Sequence, residues 1–168
     1  KEMNIDVDFD IVPVTGWKRN MLFAELDRHW IAPSPNLPTF SSVLVYPGQV
    51  LLEGANLSEG RGTTIPFEVC GAPYIKGQAL VDFLKNFDLK GVIFLPIRFR
   101  PTFDKWKNQS CEGIRIIVTD QKQFNAYKTT VAILRGVAHL WPKFFQFTPP
   151  PYEYEKIKMP IGTVAFLS

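Results

Sequence analysis

Val92-Ile93-Phe94-Leu95-Pro96-Ile97-Arg98-Phe99-Arg100 and Gly113-Ile114-Arg115-Ile116-Ile117-Val118-Thr119 decide the fold. Both runs are dense in β-branched and aromatic residues, which suit the pleated, half-buried surface of a strand. The polar stretch 102–112 between them carries Trp106 and reads as a loop. Working outward, residues 76–87 set Ala79, Leu80, Phe83, Leu84 and Phe87 at helical spacing, with Gly91 close to the end. Residues 124–140 form the longest helical pattern, with Tyr127, Val131, Leu134 and Ala138 expected inward and Pro142 stopping it after Trp141. Two strands bracketed by helices point to an α+β fold class: a mixed sheet of short strands, two or three packing helices and a long Gly/Pro-rich functional loop.

The first half is less regular. Residues 5–14 alternate Ile5, Val7, Phe9 and Ile11 against Asp6, Asp8 and Asp10, the period of a half-buried strand that Pro13 brings to an end. Residues 17–26 read as a short helix through Trp17, Met21, Leu22 and Leu26. Pro33, Pro35 and Pro38 then forbid helix and central strand over 32–39, so a rigid extended loop is expected. Residues 42–46 and 49–53 read as short buried runs, strand-like, separated by a turn at Pro47-Gly48. The resulting order is β-α-loop-β-loop-α-β-β-α, followed by an aromatic stretch at 144–147 and a Pro-rich tail at 148–168 that reads as truncated or disordered.

Composition narrows the classes. The 168 residues are 46% hydrophobic, enough for one ordinary globular core without disulfide staples. Fourteen prolines exclude a long coiled coil. The 19 basic and 16 acidic residues are interspersed, which argues against a nucleic-acid partner, and no run is long and apolar enough for a transmembrane segment. Cys70 and Cys111 stand far apart, outside any CxxC or His-rich pattern, so buried or free thiols are the leading reading and one disulfide the alternative. Neither a zinc cluster nor a dinucleotide fingerprint occurs, and no metal or other cofactor is expected.

Chemistry concentrates in residues 53–68, Glu-Gly-Ala-Asn-Leu-Ser-Glu-Gly-Arg-Gly-Thr-Thr-Ile-Pro-Phe-Glu. Three carboxylates, one guanidinium, an amide and three hydroxyls share the stretch with glycines that allow positive φ and close backbone approach. Two readings stand side by side. One is a binding or catalytic loop at the end of an element. The other is a solvated loop in which Arg61 pairs with Glu53 or Glu59 while Ser58 or Thr63 caps a turn. Glycoside hydrolysis uses two carboxyl groups roughly 5–9.5 Å apart. Glu53 and Glu59 would lie roughly 20 Å apart on an extended chain, so they form a pair only if the loop folds back. The segment 60–64 lacks the lysine of a phosphate loop, which removes a nucleotide reading.

The same residues carry a resemblance. Val12-Pro13-Val14-Thr15-Gly16-Trp17-Lys18-Arg19 matches a V-P-x-x-G-W-x-R pattern. It is joined by Pro33-Ser34-Pro35-Asn36-Leu37-Pro38-Thr39, Val45-Tyr46-Pro47-Gly48, Asn56-Leu57-Ser58-Glu59-Gly60-Arg61-Gly62-Thr63-Thr64 and Phe99-Arg100-Pro101-Thr102-Phe103. In these motifs, from residue 5 to about 147, the chain resembles the NamZ-type exo-β-N-acetylmuramidases, earlier catalogued as a domain of unknown function.

The resemblance implies a glycoside hydrolase that releases terminal N-acetylmuramic acid from the non-reducing end of peptidoglycan fragments, in cell-wall turnover or salvage, with a periplasmic or secreted location. It also implies a preceding Rossmann-like half, whose Gly-Pro-Glu-His-Gly motif does not occur here. Residues 1–40 would then be the tail of that half plus a proline-rich connector, and 41–147 the C-terminal α+β domain. The missing half is an expected partner beside the sugar substrate, and the isolated chain is expected to be inactive. Glu59 and Glu53 are the candidate catalytic carboxylates, Glu59 preferred because glycine and serine neighbours suggest an approachable loop. Arg61 is expected to grip the lactyl carboxylate bidentately. Asn56, Ser58, Thr63, Thr64, Glu68, Asn36 and Trp30 complete the candidate substrate-binding set, Trp30 by stacking on a sugar ring. A non-catalytic carbohydrate-binding or interaction module is the alternative.

Overall fold

The computed structural model describes residues 7–148. Three helices, α1 (Phe40–Gln49), α2 (Gly77–Leu84) and α3 (Ala126–Leu140), pack with a sheet of β1 (Val69–Ala72), β2 (Val92–Phe99) and β3 (Cys111–Val118). This is an α+β fold, as the strand pair and its flanking helices imply. The sheet order is β1-β3-β2 and both pairings are antiparallel, so the expected mixed sheet is corrected to an antiparallel one. β2 and β3 pair along their whole length from Val92↔Val118 to Phe99↔Cys111, with residues 100–110 as their connection, so β3 starts two residues before the expected 113.

β1 is absent from the sequence reading, because four residues, Val-Cys-Gly-Ala, are too few to show a period. They are nonetheless all buried, and they carry the 53–68 segment into the sheet through the Ser58↔Gly71 bridge. The core gathers Leu52, Leu57, Phe67, Ile75, Leu80, Ile114 and Ile133, all at most 1% exposed. Cys70 and Cys111 are buried free thiols. Burial pushes them up to about 12 and about 11 respectively, so neither is a nucleophile at neutral pH.

Four local expectations are corrected. The buried runs around Pro47-Gly48 are α1 and a following 3-10 turn, Val50–Gly54, rather than strands around a turn. Thr39 caps α1, accepting from the Ser42 amide at 3.1 Å while the Ser42 hydroxyl accepts from the Thr39 amide, a capping box one residue outside the apolar run. Pro47 lies in the last turn, and a Cβ on Gly48 would overlap the backbone of Ala126, so the glycine marks a close helix approach. The Gln49 amide seals that contact by donating to Thr130 Oγ1 at 2.8 Å.

Residues 7–14 form no strand: they find no partner strand among the described residues and Val7, Phe9 and Ile11 are 61–80% exposed. The part of that expectation resting on residues 5 and 6 lies outside the described residues, as does the tail beyond 148. The helix expected over 17–26 shrinks to a 3-10 turn at Phe23–Glu25. Finally, α3 turns inward a face that includes the expected Leu134 but not Tyr127. Thr129, Thr130, Ala132, Ile133, Leu134, Gly136 and Val137 are buried whereas Tyr127 is 52% exposed. Gly48 on α1 and Gly136 on α3 are what allow α3 to approach α1 and α2 together.

Candidate active site

The 53–68 segment runs through solvent-shielded ground. It is bonded outward at five places: Gly54 to Thr148, Asn56 to Gln146, Ser58 to Gly71, Gly62 to Thr102 and Glu68 to Ile116. Gly60 and Gly62 take φ of 81° and 79°, the left-handed region that glycine adopts at least cost. A Cβ on Gly60 would strike Val69, and one on Gly62 would strike the backbone at Thr102 and Phe103. These two residues bracket Arg61 and fold the chain back, which brings together carboxylates that an extended loop would separate.

Arg61 is the meeting point. Its Nη2 lies 2.5 Å from Glu53 Oε1, and its Nη1 lies 3.4 Å from Glu59 Oε1 and 3.7 Å from Asp104 Oδ2. The guanidinium also stacks over the Phe67 ring at 5.3 Å. Two carboxylates that touch one guanidinium are closer than the roughly 9.5 Å limit for paired glycosidase carboxyl groups. The local arrangement is therefore the ion-paired one, with both glutamates engaged at once.

Glu59 is not approachable as expected. It is 1% exposed and sits behind Arg61, with Lys105 Nζ at 3.2 Å from Oε2. Burial raises its pKa, against the pull of Lys105 and Arg61. Arg61 is held above its ordinary value: burial opposes the charge, and Glu59, Glu53 and Asp104 more than compensate. Glu53, at 42% side-chain exposure, and Asp104, at 36%, are the carboxylates that solvent reaches.

The other expected site residues divide. Ser58 Oγ accepts from the Gly60 amide at 3.2 Å, and Thr63 Oγ1 donates to the Gly60 carbonyl at 2.6 Å, so both hydroxyls shape the turn. Asn56 is committed to the scaffold: its amide donates to the Phe144 carbonyl, and its Oδ1 accepts from Tyr74 and from the Gln146 amide. Thr64 is exposed. Glu68 forms a separate node, accepting from Thr39 Oγ1 at 2.9 Å and facing Arg115 at 3.6 Å. The Asn36 backbone N–H donates to Ser34 Oγ at 3.3 Å within the proline loop. Trp30 packs edge-on to Phe23 at 5.0 Å and against Phe40 at 5.9 Å, inside an aromatic cluster rather than as a free stacking platform. None of the cluster's ion pairs reaches Asn36, Glu68 or Trp30 among the described residues.

Asp104 and Lys105 are the members that sequence reasoning misses. Their signal is an acid and a base side by side next to Trp106 in the β2–β3 loop, a pattern that reads as plain polarity until the loop is seen to fold onto residues 52–59. The cluster lies open at the surface. A cleft lies elsewhere, lined by Asp88, Lys90, Gln123 and Lys128, with no carboxylate pair on a guanidinium.

Comparison with known proteins agrees with this architecture. The chain is 44% identical over 147 residues to "Peptidoglycan beta-N-acetylmuramidase NamZ" of Bacillus subtilis (strain 168), covering 88% of this chain and 36% of that protein. It thus spans about a third of the length of that relative. The crystal structure of a DUF1343 family protein from Bacteroides fragilis superposes with a TM-score of 0.71 at 30% identity, over 76% of this chain and 34% of that one. The family description "Exo-beta-N-acetylmuramidase NamZ, N-terminal" matches residues 1–41, and its C-terminal counterpart matches residues 44–167. With the C-terminal match covering most of its residues, the chain belongs to the NamZ exo-beta-N-acetylmuramidase family.

Proposed function

We propose that the chain is the central and C-terminal part of a glycoside hydrolase that releases terminal N-acetylmuramic acid from the non-reducing end of peptidoglycan fragments. The observation that carries this is the convergence of Glu53, Glu59 and Asp104 on the Arg61 guanidinium at an open face. Glu53 is the carboxylate this chain offers to a sugar, and buried Glu59 keeps Arg61 in place. Arg61 already pairs with three carboxylates, so its service is to arrange them; a lactyl carboxylate enters only by displacing Glu53 or Asp104. In this reading residues 1–40 belong to a preceding Rossmann-like half, which supplies the opposite wall of the cleft and the partner carboxyl group.

A chromogenic N-acetylmuramide assay on this chain and on the N-terminally extended protein tests the reading. Turnover by the longer protein alone is the expected result. Absence of turnover by both would replace the hydrolase with a non-catalytic carbohydrate-binding module.

A further inference from the structure

The loop joining β2 to β3 is wound in an unusual way. Asp104, Trp106 and Asn108 have φ of 65°, 59° and 61°, a region that side chains with a Cβ avoid and a bulky indole avoids most. Such conformations persist where surrounding contacts over-determine them. Here Trp106 Nε1 donates to the Asn56 carbonyl at 2.8 Å, its ring meets Tyr74 edge-on, and the Asn108 amide donates to the Pro101 carbonyl at 2.8 Å. The residue these contacts turn inward is Lys105, with its side chain 21% exposed while Lys107 faces solvent. An ammonium has three donors, and Lys105 meets three acceptors: the Leu52 carbonyl at 2.7 Å, the Leu57 carbonyl at 3.1 Å and Glu59 Oε2 at 3.2 Å.

We propose that Lys105 is the positioning residue of this site: seated on the Leu52 and Leu57 carbonyls, it fixes the Glu59 carboxylate, whose other oxygen holds Arg61 between Glu53 and Asp104. Its consequence for turnover rests on the hydrolase reading; its hold on Glu59 does not. Glu59 Oε1 has no hydrogen-bond partner and depends on the Arg61 charge at 3.4 Å. The groups facing Glu59 are Lys105 and Asp104 from the β2–β3 loop, Arg61 and through it Glu53 from its own segment, and the neutral Cys70 thiol of β1. Removing Lys105 leaves Arg61 alone to balance Asp104 and the burial of Glu59. The Glu59 carboxyl then takes a proton from solvent, and a neutral carboxyl no longer pairs with Arg61.

The test uses the full-length protein and the variants Lys105→Met, Glu59→Gln and the two combined. In Lys105→Met, kcat on a chromogenic N-acetylmuramide should fall with KM little changed. One limb of its pH profile should move up by about one unit or more, the size of effect an opposite charge within 4–6 Å exerts. Its unfolding midpoint should fall further at pH 8 than at pH 5, and adding Glu59→Gln should restore most of the loss at pH 8. An unmoved profile, equal destabilisation at both pH values and no recovery in the double variant would overturn the proposal. Should Lys105→Met alone fail to fold, a double variant that folds supports the proposal and one that does not overturns it. Failure of the unsubstituted protein to turn over the muramide would sink the hydrolase reading, and the unfolding measurements would still decide the role of Lys105.

Discussion

Residues 7–39 and 53–68 are both irregular and both carry proline, glycine and carboxylates, yet they lie in opposite circumstances. In the first, Val7, Phe9, Ile11, Val12 and Val14 are 61–88% exposed, and the backbone bonds are short-range, Met21 to Lys18, Glu25 to Leu22 and Arg28 to Leu26. In the second, Leu57, Ser58, Glu59 and Phe67 are at most 2% exposed, and the bonds reach β1, β3, the β2–β3 loop and residues 146–148. Irregular backbone is rigid where its amides and carbonyls find partners in neighbouring elements, and charge can be buried only inside such a frame.

Five measurements would break or sharpen that contrast. The largest effect belongs to Glu59→Ala, which strands Lys105 and Arg61 without their buried partner; a loss of about 3–5 kcal/mol in denaturant unfolding is expected. Gly62→Ala places a Cβ at positive φ against the Thr102–Phe103 backbone and should cost roughly 1–3 kcal/mol, with Gly16→Ala, which meets nothing, costing less. Under the proposed hydrolase reading, Arg61→Ala should slow the full-length protein equally on muramic and N-acetylglucosamine substrates, by about tenfold or more, because it disperses the carboxylates; a loss confined to muramic substrates would restore the lactyl assignment.

The fourth is a pH effect. Burial raises the Glu59 pKa above its unfolded value, so the folded state binds the extra proton. The stability from this group is full below the unfolded value of about 4.5 and is lost as pH rises through the folded one. Glu59→Gln should flatten that decline in a series of unfolding midpoints. Last, Ile11→Ala should change the stability of this chain by less than about 0.5 kcal/mol, since the side chain is 80% exposed. A larger cost in the N-terminally extended protein would support the proposal that a preceding half covers it.

What was legible in the sequence follows the same division. β2, β3, α2 and α3 declare themselves because each is long enough for its period to show, and Pro142 marks the end of α3, whereas Gly91 turns the chain into β2 well past the end of α2 at Leu84. The clustering of chemistry in 53–68 is also visible, because polar and glycine residues crowd one stretch. The path of that loop is not, since it depends on Gly60 and Gly62 meeting β1 and the Thr102 backbone, contacts distant in sequence. Glu59 reads as exposed for the same reason: local composition carries no record of Lys105, 46 residues away. Pro47-Gly48 misleads because turn chemistry and a proline in a last helical turn look alike until α3 is seen to need the space. The alternation at 7–11 is a true strand signal that lacks a sheet among the described residues, since a strand exists only by pairing.

The Cys70 thiol, buried in β1 and pushed up to about 12 by burial and by Glu59, gives the protein a reporter of its own. An alkylating reagent attacks a thiolate that water can reach, and here both conditions fail until the segment lifts away from β1. The rate of Cys70 modification therefore times the opening of the carboxylate cluster without an added label. A sugar that closes the site should slow it, and a substitution that loosens Arg61 or Lys105 should quicken it.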